Sequence, residues 1–404
     1  MKKIRLLRRR CISMLLAVML GVGLAFTGYV PMAEAAEPYR MANLVIFVKM
    51  RGAEGNVFDE VVDYTSYQRD NWKWIKGIYQ GGTDPGIDNS FANYIKTITC
   101  DKVTVENIFP QIYTRDDGTE GIKVLELSQS IYDTDDAMVR EVIGKIQSSG
   151  PNNNPDYLDV SGRNLDLNGD GCVDNLTIIV QGDNINGKDH SFKTDYGGDD
   201  RINGLYIRCY NAMPSEGVIE RGGARLVSHE FLHTLGLPDL YRDDSATGPG
   251  AGPVGIWDVM ASGTSLSPQY PLGYLRAREG WLEGDRIGEI SKSGTYTLTA
   301  VSQPEQSGGV RLFTVSTPLP QGDSEILCLE YRRSLPAPNY EHFVDEGLIM
   351  YRVDNKVEEK SNFYGKNYIY VYRPGVSAPN DCIVSTVGAA LNAKNGETSY
   401  GSTD

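Results

Sequence analysis

The chain has 404 residues, 40% of them apolar, and a formal net charge of −14. That length accommodates one large or two modest domains with a substantial core. The acidic balance excludes electrostatic binding to nucleic-acid phosphates.

Residues 1–10 carry six Lys and Arg, an apolar run spans Ile12 to Phe26, and Ala33-Glu34-Ala35 follows. This is the order of a secretory leader: a charged n-region, a short apolar region and an A-x-A cleavage site. The apolar run is too short for a comfortable membrane span, which sets aside an uncleaved anchor. Cleavage after Ala35 would take the net charge from −14 to −19. A secreted, extracellular protein with no membrane attachment after leader removal is expected. Five cysteines would remain, Cys100, Cys172, Cys209, Cys328 and Cys382. Their spacing sets no connectivity and contains no Cys-x-x-Cys pair.

Residues 42–50 read as a buried strand, 89–99 and 136–148 as helices, and 102–113 as a strand. Asp166-Leu-Asn-Gly-Asp-Gly-Cys-Val-Asp174 then matches the first nine positions of a calcium loop. Asp166, Asn168 and Asp170 take positions 1, 3 and 5, Gly171 the sharp turn, Cys172 a backbone carbonyl, and Asp174 position 9. Thr177 stands where an EF-hand needs its bidentate Glu. The segment is either a calcium loop completed by a distant carboxylate or a metal-free Asp/Gly turn. Asn175 to Val180 reads as a buried strand, and Gly204 to Tyr210 as an edge strand.

The most informative stretch is His229-Glu-Phe-Leu-His-Thr-Leu-Gly-Leu-Pro-Asp239. On a helix over about 223–235, His229 and His233 share one face and can offer two imidazoles to one zinc ion. Glu230 is the built-in general base of this motif. Gly236 permits an abrupt helix end and Pro238 prevents its resumption. Asp239 is thereby placed to supply a third, carboxylate ligand, unless it is an ordinary helix-exit aspartate. A turn carrying Met260 follows in Gly255-Ile-Trp-Asp-Val-Met260, comparable to the methionine turn of metzincins. The nearby spelling Gly250-Ala-Gly-Pro-Val-Gly255 lacks a preceding strand and contains Pro253, so it is no dinucleotide site. His190 and His342 read as ordinary surface or core residues. Beyond about residue 286, segments 294–302, 310–317, 325–333, 347–354 and 367–373 alternate with the period of strands. Asn392 to Asp404 forms a polar tail.

The zinc and methionine segments resemble the immune inhibitor A family of secreted bacterial metallopeptidases. Looser similarity runs from Asn43-Leu-Val-Ile-Phe-Val48 to Gly347-Leu-Ile-Met-Tyr-Arg-Val-Asp354. Members carry a propeptide, whereas little here separates the leader from the first strand. The resemblance implies polypeptide substrates and Asp239 as third zinc ligand.

The expectation is an α+β, metzincin-like zinc protease. Residues 1–35 would be the leader, 36–285 a catalytic domain with a mixed sheet and active-site helix, and 286–404 a β-rich part packed on it. His229, His233 and Asp239 would hold zinc, and Glu230 would take the proton of a water in the open position. Calcium at the 166–174 loop is the second expected metal. No transition-state donor stands out: Ser262 occupies the position two after Met260, and Tyr270 or Tyr274 is within conceivable reach. Two other classes fit less well. A calcium-dependent adhesin with an idle zinc site has no use for Glu230, and a small-amide hydrolase runs against the resemblance.

Overall fold

Strand β1 (Tyr39–Lys49) is buried continuously from Met41 to Val48, as a strand covered on both faces must be. The computed structural model describes residues 37–64, 67–81, 90–146, 158–220, 223–242, 252–261, 268–303, 307–315, 325–335, 340–341, 345–358, 360–362, 367–374 and 385–392. The chain divides into Met1–Glu37 and Pro38–Asp404, and the fold below is that of the second unit. The expected leader, Ser262, His342, Cys382 and the tail beyond Asn392 lie outside the described residues.

Side chains of β1 alternate between two cores. Val45 and Phe47 pack with Trp72 and Ile75 of α1 (Asn71–Gln80) and with Phe91 and Ile95 of α2 (Phe91–Ile98). Leu44, Ile46 and Val48 pack with Met138, Val139, Val142 and Ile143 of α3 (Asp135–Lys145). Hydroxyls start two of these helices: Ser90 accepts from Asn93 N–H and Thr134 from Ala137 N–H.

The main sheet is mixed. Strands β1, β2 (Val103–Ile108), β3 (Asn175–Val180) and β5 (Cys209–Pro214) pair in parallel. The edge strand β4 (Phe192–Asp195) runs antiparallel to β5, giving the order β4-β5-β3-β1-β2. The edge expected at 204–210 is therefore elsewhere. Leu205–Ile207 leaves to pair with Cys172–Val173, and the chain from Cys209 enters the sheet interior.

A row of buried amides crosses this sheet. Asn43 is in register with both Asn107 and Asn175. Asn43 Nδ2 donates to Asn107 Oδ1, and Asn175 Nδ2 to Asn43 Oδ1, both at 2.8 Å. Asn211 Nδ2 reaches Asn175 Oδ1 at 3.4 Å.

A second sheet follows, β6 (Ile287–Ile290), β7 (Leu312–Val315), β8 (Glu325–Arg332), β9 (Gly347–Asp354) and β10 (Ile369–Val371), in sequence order. Its first pair is parallel and the others antiparallel. The strand expected at 294–302 is replaced by isolated backbone bonds, Thr299 N–H to Val310 O and Val301 N–H to Tyr331 O. Cys328, Ile349 and Tyr351 of this sheet belong to the same apolar cluster as Phe231, Trp257 and Met260. No helix among the described residues is long and apolar enough to cross a membrane.

Candidate metal centre

Helix α4 (Gly223–Thr234) carries His229, Glu230 and His233. Gly223 lets its start pack closely, since a Cβ there would meet Val218 O at 2.2 Å. Its last residue, Thr234, donates through Oγ1 to Asn175 Oδ1 at 3.0 Å, so the amide row of the sheet ends on the helix. The helix stops in a Schellman arrangement. Leu237 N–H reaches back to Leu232 O, Gly236 N–H to His233 O, and Gly236 takes φ +97°. A side chain at Gly236 would strain this turn.

The turn orients the histidines as well as ending the helix. His233 Nδ1 donates to Leu237 O at 2.8 Å, and His229 Nδ1 to Val259 O at 3.0 Å. With Nδ1 carrying the proton, each Nε2 presents its lone pair. Both Nε2 atoms point to Asp239, each 3.2 Å from Oδ1. The two rings stand perpendicular, 4.9 Å between centroids. Asp239 Oδ1 is buried and accepts no hydrogen bond, although both Nε2 atoms lie against it.

These facts test whether zinc fits. Bonds of about 2.0–2.1 Å at tetrahedral angles place ligand atoms roughly 3.3–3.4 Å apart. The Nε2–Oδ1 separations of 3.2 Å match that edge, and the orphaned Oδ1 lies where a cation would satisfy it. Among the described residues, this is the one group of three or more His, Cys, Asp or Glu with converging ligand atoms. Burial works to raise the Asp239 carboxyl, but the two histidines outweigh it and hold the group well below the usual carboxylate range. Without an ion, burial lowers His233 and the Asp239 contact outweighs it to raise the imidazole; an ion on Nε2 would replace that proton. Glu230 is 4% exposed; burial pushes its carboxyl up, opposed by His229 and His233.

Met260 is fully buried and joins this assembly through its backbone. Leu240 N–H, one residue past Asp239, donates to Met260 O at 2.8 Å. Asp258 Oδ1 accepts from Met260 N–H and Oδ2 from Leu272 N–H, both at 2.7 Å. Arg332 of β8 donates to Trp257 O at 2.8 Å and to Tyr270 O at 3.1 Å, and pairs with Glu330 and Glu341. All three charged groups of that pairing are fully buried.

One residue near the site carried little sequence signal. Tyr241 stacks on His229, 6.0 Å between centroids and 27° between planes, its only clue being its place two after Asp239. His190 is an exposed histidine lying edge-on to Phe192 of β4. Tyr270 packs on Tyr340 and faces the Arg276 guanidinium, and Tyr274 donates to Asn355 Oδ1 at 3.1 Å.

In the 166–174 loop, local hydrogen bonds engage the carboxylates. Asp166 accepts from Gly169, Asp170 and Gly171 N–H, Asp170 pairs with Arg208 at 2.8 Å, and Asp174 Oδ2 accepts from Leu167 and Ala42 N–H at 2.8 Å. Asn168 donates to Asp174 Oδ1, and Cys172 N–H to Asp170 Oδ1. Gly171 takes the turn with φ +83°.

No curated protein matches the chain. Residues 137–269 match the immune inhibitor A peptidase M6 catalytic domain. That span runs from α3 to Gln269 and holds all three converging side chains, Glu230 and Met260. Over that span the chain is similar to the immune inhibitor A peptidase family.

Proposed function

We propose that this peptidase is a secreted, zinc-dependent endopeptidase acting on extracellular polypeptides, with His229, His233 and Asp239 as metal ligands and Glu230 as general base. The observation that carries the reading is the convergence of two Nε2 atoms on one buried, unpartnered Oδ1 at 3.2 Å. When bound, zinc supplies Lewis acidity and brings the pKa of a water toward neutrality. Glu230, one residue from His229, takes a proton from the attacking water onto its carboxylate and delivers it to the leaving amine nitrogen. Burial raises the Glu230 carboxyl, which suits a group that must hold a proton between two steps. The backbone carbonyls of Val259 and Leu237 keep the two imidazoles in the tautomer that presents Nε2.

The wider reading is metzincin-like. Residues 36–285 form the catalytic part, with Met260 beneath the ligands and antiparallel edge strand β4 beside α4. Residues 286–404 form a β-rich support. The 166–174 loop is a calcium site in this reading, with Asp166, Asn168, Asp170, Asp174 and the Cys172 carbonyl as its donors. The leader at residues 1–35 directs export.

The test is hydrolysis of a generic protein substrate such as casein, before and after treatment with a zinc chelator and after zinc is restored. Glu230→Gln is the control: turnover should fall by about 10²–10⁴, the usual loss with a general base, while zinc stays bound. Undiminished turnover in that variant, or in chelated enzyme, removes the mechanism.

A further inference from the structure

The third ligand is held by residues outside the family span. Asp239 is followed by a peptide group bonded at both ends. Its N–H, on Leu240, donates to Met260 O at 2.8 Å. Its carbonyl, on Asp239, accepts from Asn362 N–H at 2.9 Å and from Ser361 Oγ at 2.8 Å. The next carbonyl, on Leu240, accepts from Asn362 Nδ2 at 2.9 Å. That side-chain amide is itself fixed: Nδ2 also donates to Ile369 O at 2.8 Å, and Oδ1 accepts from Ile369 N–H at 3.0 Å. Asn362 is fully buried, and both its amide hydrogens and its oxygen are engaged.

We infer that Asn362, assisted by Ser361, is a positioning residue that holds the Asp239 carboxylate in ligand geometry. The physical reason is dihedral. A peptide plane held at both ends fixes the Cα–C axis of Asp239, the Leu237 N–H bond to Leu232 O anchors the chain before it, and the tie to Leu240 O fixes the plane beyond. The Cα–Cβ direction of Asp239 is then set, and with it the approach of Oδ1 to both imidazoles. His229 and His233 need no such help, because four residues of α4 relate them. Asp239 lies past the helix end, on a chain that would otherwise explore several arrangements at Gly236. Asn362 in turn takes its position from Ile369, the first residue of β10. The second sheet thus reaches Asp239 through Asn362, more than 120 residues along the chain from the ligand it serves.

This inference rests on the zinc reading, and its test separates the two. Zinc affinity is measured by competition with a chromophoric chelator at a temperature well below melting. Melting of zinc-free and zinc-loaded protein is measured beside it. Wild type, Asn362→Ala, Ser361→Ala, Asp239→Ala and Val142→Ala are compared. Val142 is buried in α3, in the core on the other face of β1 from α1 and α2, and serves as a packing control. Asn362→Ala keeps the backbone bond to Asp239 O but loses the side-chain bonds to Leu240 O and Ile369, so it should bind zinc about 10–100-fold more weakly, the worth of one or two hydrogen bonds. Ser361→Ala should lose roughly twofold to tenfold, the worth of one hydrogen bond. Val142→Ala should melt earlier with and without zinc, yet keep wild-type affinity. Wild-type affinity in Asn362→Ala, with zinc lost in Asp239→Ala, overturns the positioning role and leaves the zinc reading standing. If Asn362→Ala does not fold, unchanged affinity in Ser361→Ala overturns it instead. Absence of zinc binding by the wild type overturns both.

Discussion

Replacing Arg332 by methionine should loosen the methionine segment and lower stability in a pH-dependent way. The guanidinium is fully buried and makes bonds to Trp257 O, Tyr270 O, Glu330 and Glu341. Methionine keeps much of the volume but leaves two carboxylates buried without their cation. Breaking one partner out of a buried ion pair costs about 3–5 kcal/mol. In a chain of this size each kcal/mol moves the melting temperature by roughly 2 °C, so a fall of about 6–10 °C is expected at neutral pH. Burial already pushes the Glu341 carboxyl up with Arg332 against it, and removing Arg332 pushes it higher. Its unfolded value is near 4.3, below the folded one. The folded variant therefore holds the proton more tightly, and its relative stability is greatest at acid pH and lost as pH rises through the folded value. Calorimetric melting of wild type and Arg332→Met from about pH 4.5 to 8 reads this directly, and adding Glu341→Gln to the variant should recover part of the loss at neutral pH. A deficit below about 2 °C at neutral pH, or one that does not shrink on acidification, would refute the reasoning.

Asp239→Ala should leave far less than one zinc per chain after dialysis, because two imidazoles hold the ion weakly; full retention of zinc would take Asp239 out of the ligand set. Calcium should raise the melting temperature by a few degrees with zinc saturating, since a ligand at tenfold its dissociation constant adds about 1.4 kcal/mol. Asp170→Ala should abolish that shift while leaving turnover of folded enzyme nearly unchanged. The surface pair it breaks with Arg208 contributes little by itself. If calcium produces no shift in the wild type, the loop is a metal-free turn.

The converging cluster was legible because it is nearly local. His229, His233 and Asp239 lie within eleven residues, and helix periodicity plus a glycine exit fix their relation. What locks them was not legible. Asn362, Ser361 and Arg332 act across long separations, and an asparagine or arginine in a β-rich stretch gives no periodic signal of its target. The misplaced edge strand has a similar cause. Leu205 to Tyr210 alternates as one strand would, but the chain divides at Arg208 and sends its two halves to different sheets. The true edge, Phe-Lys-Thr-Asp at 192–195, is too short and polar to announce itself. The 294–302 segment alternates too, yet its inward residues find only isolated backbone partners.

The amide row across the main sheet serves as a ruler. Apolar strands slide past one another at small cost when every side chain is interchangeable. A slip of one residue at Asn43 would face an amide with aliphatic neighbours and leave its partners buried and unbonded. Each strand that contributes an amide therefore has one admissible offset. Because Thr234 bonds to Asn175, the axial position of α4 is counted from the same mark. The height at which two histidines stand above the sheet is thus set by a register choice made several strands away, before any ion arrives.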